Sequence, residues 1–163
     1  MFKLFSKKAP VVDNQVYAPA NGEIINLEAV SDKVFASKAM GEGFGTKPSD
    51  NQIVAPFSGT IMMVASTKHA VGIKTVSGLE ILIHMGVDTV DLKGTPFEIF
   101  VKVGDEVKGG QPIAEMALDQ VEAAGLDTVV MTVVTNTNDK LEALQVNPGQ
   151  VTRGDVVGNV TTK

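Results

Sequence analysis

The chain has 163 residues, 44% of them apolar and 20% charged, enough for one domain with a real core and an ordinary globular composition. It has no cysteine, which excludes a disulfide frame, a thiol nucleophile and a thiolate metal site. A net charge of −5 argues against general nucleic-acid binding, which needs a basic footprint.

In chain order, "MFKLFSKK" comes first and interleaves Phe2, Leu4 and Phe5 with Lys3, Lys7 and Lys8. Residues 1–12 are read as a flexible N-terminal segment and a candidate weak anchor on anionic lipid. No apolar run is long enough to span a bilayer as a helix, and the first residues lack the charged-then-apolar pattern and small-residue cleavage site of a secretory leader, so secretion is not expected. The expectation is a cytoplasmic protein whose single domain occupies residues 13–163.

From there strand-like runs alternate with Gly, Pro, Asn and Asp. "GEIINL" is the first, and "SDKVFASKAM" follows as a short helix capped by Ser31 or Asp32. "KPSDNQ" reads as a loop. "GTIMMVAS", "AVGIKTV", "LEILIHM", "FEIFVKV" and "QPIAEM" read as strands, "LDQVEAAG" as a second helix closed by Gly125. "TVVMTVVTN" is a further strand and "TNTNDK" a polar loop. "APANGEI" (18–24) recurs as "APFSGTI" (55–61), and "VKGGQPI" (107–113) has an echo in "VTRGDVV" (151–157). The predicted fold class is all-β, an antiparallel β-sandwich with short helical turns and an internally repeated strand-turn unit.

The chain has two histidines, His69 in "STKHAVGI" and His84 in "GLEILIHMGVDTV". They flank a candidate hairpin with "TVSG" at its tip. A two-residue loop, Ser77-Gly78, sets His84 opposite Val71 with His69 as a diagonal neighbour. A four-residue loop, Thr75 to Gly78, sets the histidines opposite each other. Either even loop places both imidazoles on one face, about 5 to 8 Å apart at the backbone. An odd loop would separate them. Leu79, Ile81 and Ile83 form the apolar parity that faces the core, leaving Leu82 and His84 on the other face.

Two adjacent imidazoles, neutral near pH 7, suit covalent phosphoryl transfer. One ring nitrogen accepts the group. The second imidazole, with a hydroxyl such as Thr67, donates hydrogen bonds to the phosphoryl oxygens. Two plainer readings stand beside this one. Either histidine could be an ordinary strand residue with its bonds satisfied, or the pair could bind zinc with a carboxylate such as Asp88 completing the set.

The quoted segments also resemble a known family. "GLEILIHMGVDTV" is similar to the active-site signature of the glucose-type enzyme IIA of the phosphoenolpyruvate-dependent sugar phosphotransferase system. "TKHAVGI" is similar to its second-histidine segment, and "VAPFSGTI", "LKGTPFE" and "VKVGDEVKGGQPI" also read as family segments. The resemblance covers nearly the whole chain from Val16 onward. It implies a β-sandwich phosphocarrier with no required cofactor. His84 would take a phosphoryl group from HPr and pass it to the IIB domain of a sugar permease. His69 would steady that group and Thr67 would hydrogen-bond within the pair. Asp88 would be an electrostatic contact, and Val34, Phe35 and Leu82 would lie on the docking face. Regulated proteins are further implied partners, some sharing a transient zinc between His69 and His84. The alternative is a docking module that has lost the chemistry. One departure from the family stands in "VMTVVTN", where a Thr-Pro step is expected at a strand edge and the chain has Thr132-Val133. "VKVGDEVKGGQPIAEM" also resembles the turn of biotinyl and lipoyl carrier domains, but "AEMALDQVEAAG" lacks their modifiable lysine.

Overall fold

A computed structural model describes residues 11–163. The basic-apolar part of the N-terminal segment lies outside the described residues. The strands in chain order are β1 (Gln15–Tyr17), β2 (Gly22–Asn26), β3 (Glu42–Pro48), β4 (Gln52–Val54), β5 (Gly59–Val64), β6 (Ala70–Lys74) and β7 (Glu80–Met85). They continue as β8 (Phe97–Ile99), β9 (Glu106–Val107), β10 (Pro112–Met116), β11 (Val130–Val134), β12 (Leu141–Val146), β13 (Gly149–Val151) and β14 (Val156–Thr162). Helix α1 is Lys33–Ala36, α2 is Leu118–Ala123 and α3 is Thr137–Lys140. Among the described residues no helix is long and apolar enough to cross a membrane.

All strand pairs are antiparallel. One eight-stranded sheet runs β13-β2-β3-β11-β7-β6-β5-β9, and two three-stranded sheets run β1-β14-β12 and β4-β10-β8. The main core joins one face of the large sheet (Ile61, Ile73, Ile81, Ile83, Val130) to the small sheets (Val16, Ile53, Ile113, Met116, Val160). The predicted antiparallel sandwich is the observed architecture. A second apolar cluster, Leu27, Val30, Phe35, Val129, Met131 and Val133, covers part of the large sheet's outer face.

The large sheet reads alike from both ends. In strand order, β13, β2, β3 and β11 on one side correspond to β9, β5, β6 and β7 on the other. The two "Ala-Pro" segments make the same bonds in this arrangement. Tyr17 N–H donates to Pro56 O and Val54 N–H to Pro19 O, both at 2.8 Å. Ala18 N–H donates to Asp155 O as Ala55 N–H does to Gln111 O, again at 2.8 Å. One unit, residues 52–116, is continuous in sequence, and the other is assembled from the chain on either side of it.

Several elements differ from expectation. Strand β3 was not anticipated, because "EGFGTKP" carries two glycines and a proline. Its glycines are room for neighbours: a Cβ on Gly45 would lie 2.7 Å from Val30 Cγ1. "FEIFVKV" is strand only over its first three residues, and the end of "TNTNDK" forms the single turn α3. Thr132-Val133 lies not at an edge but in β11, between β3 and β7. The two expected helices are present. Asp32 caps α1, its Oδ1 accepting from Val34 N–H at 2.9 Å and Phe35 N–H at 3.2 Å.

Candidate active site

Strand β7 alternates as the sequence predicts, with Ile81, Ile83 and Met85 buried in the core and Leu82 and His84 half-buried on the outer face. The hairpin register does not follow the prediction. Lys74 pairs with Glu80 and Ala70 with His84, so five residues separate the paired positions. This odd loop sets His69 opposite the core-facing Met85, whose N–H donates to His69 O at 2.8 Å. A strand continued through His69 would turn its ring inward. Strand β6 instead begins at Ala70, and Lys68, at φ 61°, turns the chain just before His69. Freed from the pleat, the His69 ring meets His84 edge-on, with centroids 4.9 Å apart and an interplanar angle of 75°. The expected proximity is present, reached by a turn rather than by strand parity.

One bond fixes the His84 ring. Its Nδ1 lies 2.8 Å from Gly86 O, and a carbonyl can only accept, so Nδ1 carries the proton and Nε2 keeps its lone pair. Gly86 is held for this contact. Its N–H donates to Val129 O at 2.9 Å, and the Thr89 hydroxyl donates to Met85 O at 2.6 Å. Its φ of 82° favours glycine, and a Cβ there would stand 2.4 Å from Thr89 Cγ2. On the other ring, His69 Nδ1 lies 2.7 Å from the Thr67 hydroxyl oxygen.

Burial lowers the pKa of both imidazoles from 6.5, and at His69 the neighbouring His84 lowers it further. At His84 the Gly86 bond and the charges of Asp32 and Asp88 act in the opposite direction without overcoming burial. Both rings are therefore held in the neutral form near pH 7.

The structure brings Thr67, His69, His84, Phe35 and Leu82 together. The Phe35 ring is 5.1 Å from His84 at 54°, and Leu82 packs on the same outer cluster. Val34, next to Phe35, is exposed at 56%. Asp88 opens a 3-10 turn in the left-handed region, φ 59°, and acts on His84 by charge. The Gly86 carbonyl was missed from the sequence because a backbone acceptor has no residue signature. Asp32 was read only as a cap. A polar cavity of about 380 Å³ between Lys38–Glu42 and Thr135–Asp139 contains neither histidine. The imidazoles instead lie half-buried beside the outer apolar cluster. Among the described residues no group of three or more metal-ligating side chains occurs, so a tetrahedral ion here would need ligands from elsewhere.

Residues 14–140 match the profile of the phosphoenolpyruvate-dependent sugar phosphotransferase system, EIIA 1 family. The chain belongs to that family. It is 40% identical over 158 residues to the PTS system glucose-specific EIIA component of Staphylococcus epidermidis, covering 95% of each chain. It is 44% identical over 143 residues to the PTS system glucose-specific EIICBA component of Staphylococcus carnosus, matching 87% of this chain but only 21% of that longer protein. Among solved structures, glucose permease IIA from Mycoplasma capricolum superposes with a TM-score of 0.78 at 39% identity, covering 88% of this chain and 93% of that one. The chain is thus a glucose-type EIIA component, and membership of the family implies a role in phosphotransfer within the sugar phosphotransferase system.

Proposed function

We propose that the protein is a covalent phosphocarrier that takes a phosphoryl group from phospho-HPr on His84 Nε2 and hands it to the IIB domain of a sugar permease. The observation that carries this reading is the His84 Nδ1–H bond to Gly86 O, which leaves the Nε2 lone pair free beside a second imidazole. In the first step Nε2 attacks phosphorus as the P–N bond to the histidine of HPr breaks. In the second, a nucleophile of the IIB domain attacks phosphorus and His84 leaves as the neutral ring. With the Thr67 hydroxyl donating to His69 Nδ1, His69 keeps its proton on Nε2 and presents it to a phosphoryl oxygen. Phe35 and Leu82 shelter the phosphohistidine from water, and with Val34 they form the docking face. Asp88 supplies a negative charge beside the acceptor for a basic partner.

The chemistry needs no resident cofactor, and zinc would enter only as an ion shared with a regulated partner. On this reading the exchange takes place in the cytoplasm. Intact-protein mass after incubation with phosphoenolpyruvate, enzyme I and HPr tests the reading. One acid-labile phosphoryl group is expected on the wild type and none on His84→Ala. His69→Ala is expected to accept the group but fail to pass it to a IIB domain. No uptake by the wild type, with HPr verified as phosphorylated, would replace the carrier by a docking module.

A further inference from the structure

Two consecutive methionines lie on the same outer face as His84, and strand alternation alone would not put them both there. The pairing of β5 with β6 slips between Ile61, opposite Ile73, and Met63, opposite Gly72. The extra residue, Met62, bulges out of the ladder, so both Met62 and Met63 point outward. They are exposed at 41% and 36%. Gly72 lies beneath them: a Cβ there would stand 3.1 Å from Met62 Cγ and 3.3 Å from Met63 Cβ. Gly72 in turn pairs with Leu82, and its near neighbour Ala70 pairs with His84. The methionine bulge is thus two strands from β7, about 10 Å.

A protein partner that reaches His84 covers about 800 Å² of this chain, a disc of about 16 Å radius, so it also covers the bulge. Two unbranched, polarizable side chains over a glycine can repack to partners of different shape, which a relay between two proteins requires. The same sulfurs are open to oxidation. Among the described residues Met85, Met116 and Met131 are fully buried, and Met40, Met62 and Met63 are the exposed methionines.

The geometry points to Met62 and Met63 as a redox-sensitive modification site on the docking face, where oxidation to sulfoxide by a peroxide weakens partner docking and slows phosphoryl exchange. The inference rests on the relay reading above. In the step, a thioether lone pair takes one oxygen of hydrogen peroxide, the O–O bond breaks and water leaves. The sulfur is oxidised by two electrons while the peroxide is reduced. Each sulfoxide places a strong acceptor where a docked partner expels water, and an unpaired acceptor there weakens docking.

The experiment compares phosphoryl uptake from phospho-HPr before and after hydrogen peroxide treatment, with oxidised residues located by peptide mass. Oxidation of the wild type is expected to raise the KM for phospho-HPr about tenfold while leaving the final uptake at one group per chain. The Met62→Leu/Met63→Leu variant is judged against its own untreated rate, and that ratio is expected to stay near one. Met40→Leu is expected to keep the wild-type sensitivity. Leucine conserves the methionine volume on this exposed face, so folding is retained. Uptake that proceeds normally before peroxide and is unchanged after oxidation of both residues would overturn this inference alone. A sensitivity that survives in the double variant would also overturn it. No uptake before peroxide would remove both it and the relay.

Discussion

His84 and His69 are both harder to protonate than a free imidazole, and for the same first reason, burial. A lowered pKa means that the folded chain binds fewer protons than the unfolded one below pH 6.5. The stability contributed by the pair is therefore complete above pH 6.5 and is lost as pH falls from there through the folded values. The nucleophile follows the same sign, since Nε2 attacks only while it carries its lone pair. Imidazole NMR titration should place both midpoints below 6.5. A midpoint above that value for His84 would mean that the carboxylates of Asp32 and Asp88 outweigh burial.

One short element serves both the fold and the site. Helix α1 has only four residues, too few to be stable alone, and is held by the Asp32 cap and by Phe35 in the outer cluster. Asp32→Ala should cost about 1 kcal/mol in denaturant unfolding and loosen the Phe35 contact with His84. Asp32→Asn keeps an acceptor for the cap while removing the charge, so it should retain most of that stability and lower the His84 midpoint further. If the two variants unfold alike, capping is not what holds α1. At this scale the sequence was legible where one periodicity ruled. The alternation of "LEILIHM", the cap at Asp32 and the stop at Gly125 all stand in the structure. It was illegible where the backbone broke its own pattern. The turn at Lys68 rescues the histidine pair from an odd register, and the glycines of β3 hide a central strand because their value lies in the neighbours they admit.

At the scale of the whole molecule, the layers close around a core that includes two buried polar groups. Among the described residues, the hydroxyl oxygens of Thr46 and Thr132 are buried and have no hydrogen-bond partner. They lie on neighbouring strands, β3 and β11, and face the main core. Valine has nearly the same shape without the oxygen, so Thr132→Val should raise the unfolding free energy by about 1 to 2 kcal/mol. A fall in the melting temperature would show that the hydroxyl has a partner in solution.

The nesting of one unit inside the other has a consequence for biosynthesis. Strands β4 to β10, with both histidines, form an unbroken stretch of chain that can assemble as soon as it leaves the ribosome. Strands β1 to β3 are made earlier, yet β3 cannot pair along its second edge until β11 is made. The early segment must wait, with an edge open, while the portion that carries the chemistry is completed. Its glycines and its lysine-proline end make that edge a poor template for other chains during the delay.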